Sequence, residues 1–419
     1  MTEGKRLLVL GGSIASLDVV QTAISMGIYT LVTDDQPTGV AKEASDESAM
    51  ISTTDMEGLL QLIEKKNIDG VFCGPSEFNI VNTMKLCALA QLPYYATQVQ
   101  WEVCSNKERF KQLCRDNNVP CVAEFKMNDE EIAFPVIVKP VDGCSSKGIS
   151  VCYSAEELKK GYENALQFSA SGNIIVEKYI ENGGVITSVR YIAHDGELYL
   201  SLVGDTYVVD PINKTALISA VTLFPSQYTA TYIDTIDANV KEMFKTIDFK
   251  NGVLFMQSLP DNGTIYFHEM GLRLSGGLTY RITDSCNGVN DLKMMIRYAL
   301  GEAMCTREEI ERIDPYLNGK LAASLCIPLK PGTIGSIEGL DDILDTLQIE
   351  DFTQYYTIGD CITADKMGTL LQHFGRFKFL GNSKSEIVAM IEKIQQMLEV
   401  CDTEGNPMIY MDFDTKRLS

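Results

Sequence analysis

The segment Val136–Val151, read as VIVKPVDGCSSKGISV, places the strongest limit on what this chain can fold into. An apolar run, Val136–Val138, enters Lys139-Pro140. A loop of small and polar residues then carries Asp142, Gly143, Cys144, Ser145, Ser146, Lys147 and Gly148, and a second apolar run starts at Ile149. Two strand-like runs around such a loop form a hairpin whose backbone N–H groups can close over a polyanion. The order G-x-x-x-x-G-K-[ST] is absent, and an apolar β-type run follows where a P-loop would start a helix. An ordinary Gly/Ser turn fits the same residues, so the rest of the chain must decide.

Before this hairpin the pattern is that of an open parallel sheet. Arg6–Leu10 is an apolar run closed by Gly11-Gly12-Ser13, a helix-like segment spans Leu17–Met26, and Tyr29–Thr33 is a second strand. The G-x-G-x-x-G fingerprint is missing, which favours a tight strand-to-helix turn over a dinucleotide site. A helix over Glu57–Lys66, a strand at Gly70–Cys73 and a helix through Ala90 follow. Beyond the hairpin, Ser154 and Glu157 read as a capping box for a helix over Ala155–Gln167. Strand-like runs cover Ile186–Ala193, Glu197–Val203 and Ala216–Leu223. A helix spans Ile233–Ile247, and a hairpin of Gly252–Leu259 with Thr264–Met270 sets Gln257 beside Glu269. From about Asn318 the chain reads as strands and turns with one late helix, Ser385–Val400. Alternation points His268 to the opposite face from Glu269, which favours a core or second-layer role.

The 419 residues suggest two or three domains. Boundaries are expected as 1–105 for an N-terminal open α/β domain, 106–305 for a middle module with a small lobe at about 118–183, and 306–419 for a β-rich C-terminal domain. With 36 basic and 57 acidic residues the formal charge is −21, which argues against a nucleic-acid or anionic-membrane surface. Any nucleotide must find a local positive site. The twelve cysteines lack zinc-type spacing and read as reduced thiols. No segment reaches transmembrane length, and Met1–Arg6 leads straight into a strand, so a cytoplasmic protein without a signal peptide is expected.

Four features now share one explanation. Lys107 and Lys139 flank the Gly/Ser loop. Glu177-Lys178-Tyr179-Ile180 is a strand exit whose backbone can bond a planar base. Gln257 and Glu269 are oxygen donors suited to a hard cation, and Arg273 can clamp an oxyanion. In order and spacing these residues resemble the ATP-grasp superfamily, from about residue 5 to about 400. The branch they resemble holds biotin carboxylase, the carbamoyl phosphate synthetase large chain and the purine-pathway carboxylate–amine ligases. The resemblance implies a pre-ATP-grasp α/β domain, a two-lobed ATP-grasp module and a β-rich C-terminal domain, an α/β and α+β multidomain chain.

The resemblance further assigns Lys107 and Lys139 to phosphates and Asp142, Gly143, Ser145, Ser146 and Gly148 to a mobile phosphate loop. It places Glu177, Lys178, Tyr179 and Ile180 at adenine, and Gln257 and Glu269 on Mg²⁺, with Mn²⁺ as a substitute. Glu269-Met270-Gly271-Leu272-Arg273 matches a motif written Glu-x-Asn-x-Arg, so Gly271 replaces a metal-ligating Asn and Gln257 stands where Glu is common. The acidic residue many members use on the ribose is missing from 183–187. The implied activity is an ATP-dependent ligase: a small-molecule carboxylate becomes an acyl phosphate with the help of Lys139, Glu269 and Arg273, and an amine, or less often a thiol, displaces phosphate. Arg190, Asp205, Lys214 and Arg281 are candidates for substrate contact, with Arg190 or Arg281 suited to a carboxylate. Relatives are often homodimers. Two other readings use the same residues: a bicarbonate enzyme making carboxyphosphate or carbamoyl phosphate, and a nucleotide-binding regulator without turnover.

Overall fold

The computed structural model describes residues 4–127, 129, 131–141, 148–210 and 218–418. Nearly continuous apolar runs need cover on both faces, which is the condition for a parallel sheet. The first four strands are β1 (Arg6–Leu10), β2 (Tyr29–Thr33), β3 (Glu47–Ala49) and β4 (Gly70–Cys73), paired in parallel in the order β3-β2-β1-β4. Helices Ile14–Ser25, Met56–Lys66 and Glu77–Ala90 lie between and after them, close to expectation. Close contacts anchor this sheet to the rest of the chain. A Cβ at Gly70 would lie 2.2 Å from the Ala299 carbonyl oxygen, and Lys5 donates to the Leu300 carbonyl at 2.6 Å.

The small lobe is a second sheet. Strands β5 (Glu124–Phe125), β6 (Val136–Pro140), β7 (Ser150–Cys152) and β8 (Ile174–Lys178) run antiparallel in the order β5-β8-β6-β7. Val136 pairs with Cys152 and Val138 with Ser150, so the expected hairpin forms around the loop. Helix Ala155–Leu166 closes a core of Val136, Val138, Cys152, Leu158, Ala165 and Val176. Ser154 caps it at the Glu157 N–H, whereas Glu157 returns its carboxylate to the Tyr153 N–H, one residue before the reciprocal bond of a capping box.

The largest sheet has eight strands. Its members are β9 (Val185–His194), β10 (Glu197–Val208), β11 (Ser219–Phe224), β12 (Gly252–Asp261), β13 (Thr264–Gly271) and β14 (Leu321–Pro328), with β16 (Ile349–Gln354) and β18 (His373–Gly381) at the far side. Strands β15 (Gly332–Glu338), β17 (Cys361–Ile362) and β19 (Glu399–Asp402) form a separate small sheet. The eight run β13-β12-β9-β10-β11-β14-β18-β16. The seam is β11 on β14, from Val221↔Leu325 to Phe224↔Ala322, so strands on either side of residue 305 share one sheet.

Several elements differ from expectation. The helix expected over Ile233–Ile247 is two, Thr229–Thr235 and Asp237–Thr246, divided at Ile236. Strand β10 continues to Val208 because Asp205 and Thr206 pair with Leu223 and Thr222. Ile334-Gly335-Ser336 lies within β15, where Gly335 lets the Asp402 carbonyl approach to 2.4 Å of a would-be Cβ. Helices Gln98–Ser105 and Tyr280–Asn287 have no counterpart among the expected elements.

The eight-stranded sheet has two unlike faces because side chains alternate along each strand. On β18, Phe377 and Phe379 enter an apolar core with Leu325, Ile387, Ile391 and Ile394, while Arg376 and Lys378 point to the other face. Phe377 is fully buried and stacks on Phe352 with centroids 4.3 Å apart. Phe377→Ala is expected to destabilise the protein by about 3–5 kcal/mol in urea unfolding, the usual cost of removing a buried ring.

Candidate active site

Glu177, at the end of β8, is 2% exposed and has cations on both oxygens. Lys111, itself fully buried, donates to one oxygen, and Lys139 of β6 meets the other. Lys111 also reaches Glu124 on β5 at 2.9 Å. Burial alone would raise the Glu177 carboxyl, but Lys139 and Lys111 outweigh it and bring it down to about 2. Glu177 thus holds Lys139 at the mouth of the loop rather than presenting an open acceptor. Lys111 escaped the sequence reading. It lies one helical turn after Lys107 on helix Lys107–Asp116, a spacing that could have marked it.

Lys107 reaches Glu269 at 3.2 Å, and Glu269 is in register with Gln257 across β13 and β12. Burial raises the Glu269 carboxyl, while His268, Lys107 and Lys139 outweigh that and leave it below the usual range. Between Gln257 and Ser258 the register slips, so Ser258 faces Phe267 and His268 is the extra residue of a bulge. Strict alternation between the two faces therefore does not hold at His268. Burial pushes its imidazole down to about 4, with Glu269, Lys139, Glu177 and Lys107 as charged neighbours. Its Nε2 has no partner among the described residues.

Gly271 is explained by Phe255, its register partner. A Cβ at Gly271 would lie 2.4 Å from the Phe255 ring, which occupies the space that an Asn would need. The Arg273 guanidinium sits over the same ring, 5.1 Å from its centroid, and bonds Glu77 at 3.2 Å and the Leu274 carbonyl at 3.1 Å. Lys107, Glu269, Gly271, Phe255, Arg273 and Glu77 line one cavity of about 220 Å³. Gln257 and Glu269 offer an amide and a carboxylate oxygen from adjacent strands, a donor set that fits Mg²⁺ if phosphates and water complete it. No cluster of three or more His, Cys, Asp or Glu suited to a metal occurs among the described residues.

Residues 97–272 match the family described as D-ala D-ala ligase C-terminus. That segment, less than half of the chain, is similar to the ATP-grasp domain of such ligases. The formate-dependent phosphoribosylglycinamide formyltransferase of Bacillus velezensis is 27% identical over 217 residues, 49% of this chain and 56% of that protein. The carbamoyl phosphate synthase large chain of Clostridium beijerinckii is 25% identical over 327 residues, 74% of this chain and 29% of that one. The chain thus spans about half, or less, of the curated relatives it matches. The solved L-amino acid ligase of Bacillus licheniformis superposes with a TM-score of 0.77 at 20% identity, covering 96% of this chain and all of that one, which establishes a shared fold.

The remaining candidates divide. Lys178 pairs with Asp261 at 3.5 Å, the Tyr179 N–H bonds the Pro135 carbonyl, and Ile180 is buried. Gly148 has a φ of +75°, and a Cβ there would lie 3.0 Å from the Phe168 side chain, so the position favours glycine. Asp142, Gly143, Ser145, Ser146 and Lys214 lie outside the described residues. Asp205 does not join the cavity: it points to the opposite face, where Thr187, Ser226 and the Gln227 N–H saturate it at 2.7, 2.7 and 3.0 Å. Arg281 is held by Asp18 at 2.7 Å and by Asp351, which ties the first domain to β16 and leaves Arg281 committed to structure. Arg190 stays on the cavity's face, in register with Phe255.

The Glu177 carboxyl titrates near 2 in the fold against an ordinary 4.5, so its stabilisation is fully present above about pH 4.5 and is lost as pH falls toward 2. Glu177→Gln is expected to cost roughly 3 kcal/mol at pH 7 and to flatten the acid limb of stability against pH, read by denaturant unfolding at each pH.

Proposed function

We propose that this chain is an ATP-dependent ligase that activates a small-molecule carboxylate as an acyl phosphate for attack by an amine. The observation that carries the reading is the convergence of Lys107, Glu269 and Arg273 on one cavity, with Gln257 in register with Glu269 and Lys139 close enough to bias its charge. In the first step a substrate carboxylate oxygen bonds the γ-phosphorus as the β–γ bridge breaks and ADP leaves. In the second, the amine bonds the acyl carbon, phosphate departs and the amine loses a proton. Neither step needs a side-chain nucleophile. Developing charge on the transferring group would be met by Lys139 and Arg273. Mg²⁺, when bound by Glu269 and Gln257, would supply further charge neutralisation at the phosphates.

The relatives support the reading by their own chemistry, since they include a formyltransferase acting on phosphoribosylglycinamide and an L-amino acid ligase. The length of the match to the carbamoyl phosphate synthase large chain, 74% of this chain, favours bicarbonate as the second reading. The biotin carboxylase domain of Hydrogenobacter thermophilus 2-oxoglutarate carboxylase, described as a dimer with MgADP, superposes with a TM-score of 0.75 at 21% identity. A homodimer and the use of Mg-ATP are part of the proposal on that likeness. So is a reducing, cytoplasmic setting, because the eleven described cysteines are all free thiols. No helix of the described residues is long and apolar enough to cross a membrane.

The test is ADP release from Mg-ATP with pooled carboxylates and amines. Turnover should require one acid and one amine, vanish with EDTA, and fall about 10²–10³-fold or more in Glu269→Ala. Stimulation by bicarbonate alone would move the assignment to the second reading. Mg-ATP binding with no acid, amine or bicarbonate response would sink both.

A further inference from the structure

The polar face of the eight-stranded sheet continues well past the cavity. Ser188 stands beside Gln257 on one side and Gly204 on the other. Two residues along, Thr206 pairs with Thr222, Thr222 with Ser324, and Ser324 with Lys378. Lys378 and its i−2 neighbour Arg376 therefore project from the same face as Gln257 and Glu269. Arg190 projects from that face too, two residues from Ser188. Arg376 is also tied to the site loop, because a Cβ at Gly277, four residues past Arg273, would lie 2.9 Å from its Nη1.

Four cations gather here, Arg190, Arg281, Arg376 and Lys378, against three carboxylates, Asp18, Asp351 and Asp291. Asp18 and Asp351 are spent on Arg281 and Lys378. Arg190 and Arg376 are each only 8% exposed, and Nε and Nη1 of Arg190 and Nε of Arg376 have no hydrogen-bond partner among the described residues. Arg376 feels the Cys326 thiol and the Tyr355 hydroxyl most, and the Asp351 carboxylate, already paired with Arg281 and Lys378, less. Asp291 does not resolve the imbalance: its Oδ1 is also without a partner, and burial pushes its carboxyl up to about 7 against the pull of Arg190. A buried cation without an anion is among the costliest arrangements a fold can hold.

We infer that Arg190 and Arg376 form a second anion subsite, which receives an oxyanion of the acceptor substrate other than the one that is phosphorylated. The first oxyanion belongs with Lys107, Lys139 and Arg273, and the Phe255 ring, with Arg273 on it and Arg190 beside it in register, divides the two. Planar guanidinium forks bind carboxylate and phosphate oxygens in pairs, so the acceptor carries one of these groups in addition to its reactive carboxyl. The identity of the anion as substrate rests on the ligase reading; its binding does not.

The experiment is calorimetric titration of the full chain with succinate and with inorganic phosphate at fixed ionic strength, with Mg-ATP titrated separately. Arg376→Gln should weaken the anion roughly ten- to hundredfold and leave Mg-ATP affinity unchanged. Gly277→Ala should weaken it as well by displacing Arg376 while every charge remains. If Arg376→Gln does not fold, shown by loss of Mg-ATP binding, Gly277→Ala carries the test alone. The tighter of the two probes names the group as carboxylate or phosphate. If neither anion binds the wild type, or both bind the variants as tightly, the subsite is refuted. Because nothing here depends on turnover, a chain without ligase activity can still pass, and an active ligase can still fail.

Discussion

The site depends on one buried ionic arrangement, Glu177 between Lys111 and Lys139. Two ammonium groups and a carboxylate out of water are tolerable only because each has a partner, and Lys111 has a second in Glu124. Three pieces of chain meet there: helix Lys107–Asp116, strand β6 leading into the Gly/Ser loop, and strand β8 leading into Lys178–Ile180. The helix also brings Lys107 to Glu269 on the large sheet. The position of the small lobe relative to the oxygen donors is thus fixed by charge pairing at its inner edge, with only a modest apolar core behind it.

The large sheet divides its labour by face. Phenylalanines and aliphatic side chains on one side bury against helix Lys384–Met397, while the other side carries Gln257, Ser188, Arg190, Ser324, Lys378 and Arg376. Such a polar row inside a protein is costly unless each group is answered. Most are answered by hydrogen bonds or carboxylates. On or beside this face Arg190, Arg376, Asp291 and His268 each keep a buried polar atom without a hydrogen bond among the described residues, as do Arg6, Asn82 and Arg297 elsewhere. Unanswered groups at a binding face are satisfied by ligand, which is why they mark a site better than their exposure does.

Much of this was legible from the residues. The apolar runs of β1, β2 and β4 announce a parallel sheet, and the spacing from Gln257 to Glu269 announces a hairpin with two oxygen donors. What escaped has a common cause: it depends on register. His268 could not be placed because a bulge cancels alternation, and no local residue pattern signals that bulge. Arg376 looks like one polar residue in an aromatic strand until β14 links it, strand by strand, to Gln257. Gly271 reads as a lost ligand until Phe255 is found in its space. Arg281 and Asp205 looked available because their partners, Asp18 and Asp351 in one case and Thr187 and Ser226 in the other, are remote in sequence.

The seam between β11 and β14 has a consequence for how the molecule can be divided. Removing everything after residue 320 would strip β11 of its neighbour and leave a row of unpaired N–H and C=O groups along the middle of a long, largely apolar sheet. Open edges of that kind recruit other chains. The part of the chain before residue 320 is therefore not a separable fragment: the C-terminal strands act as its permanent edge protection.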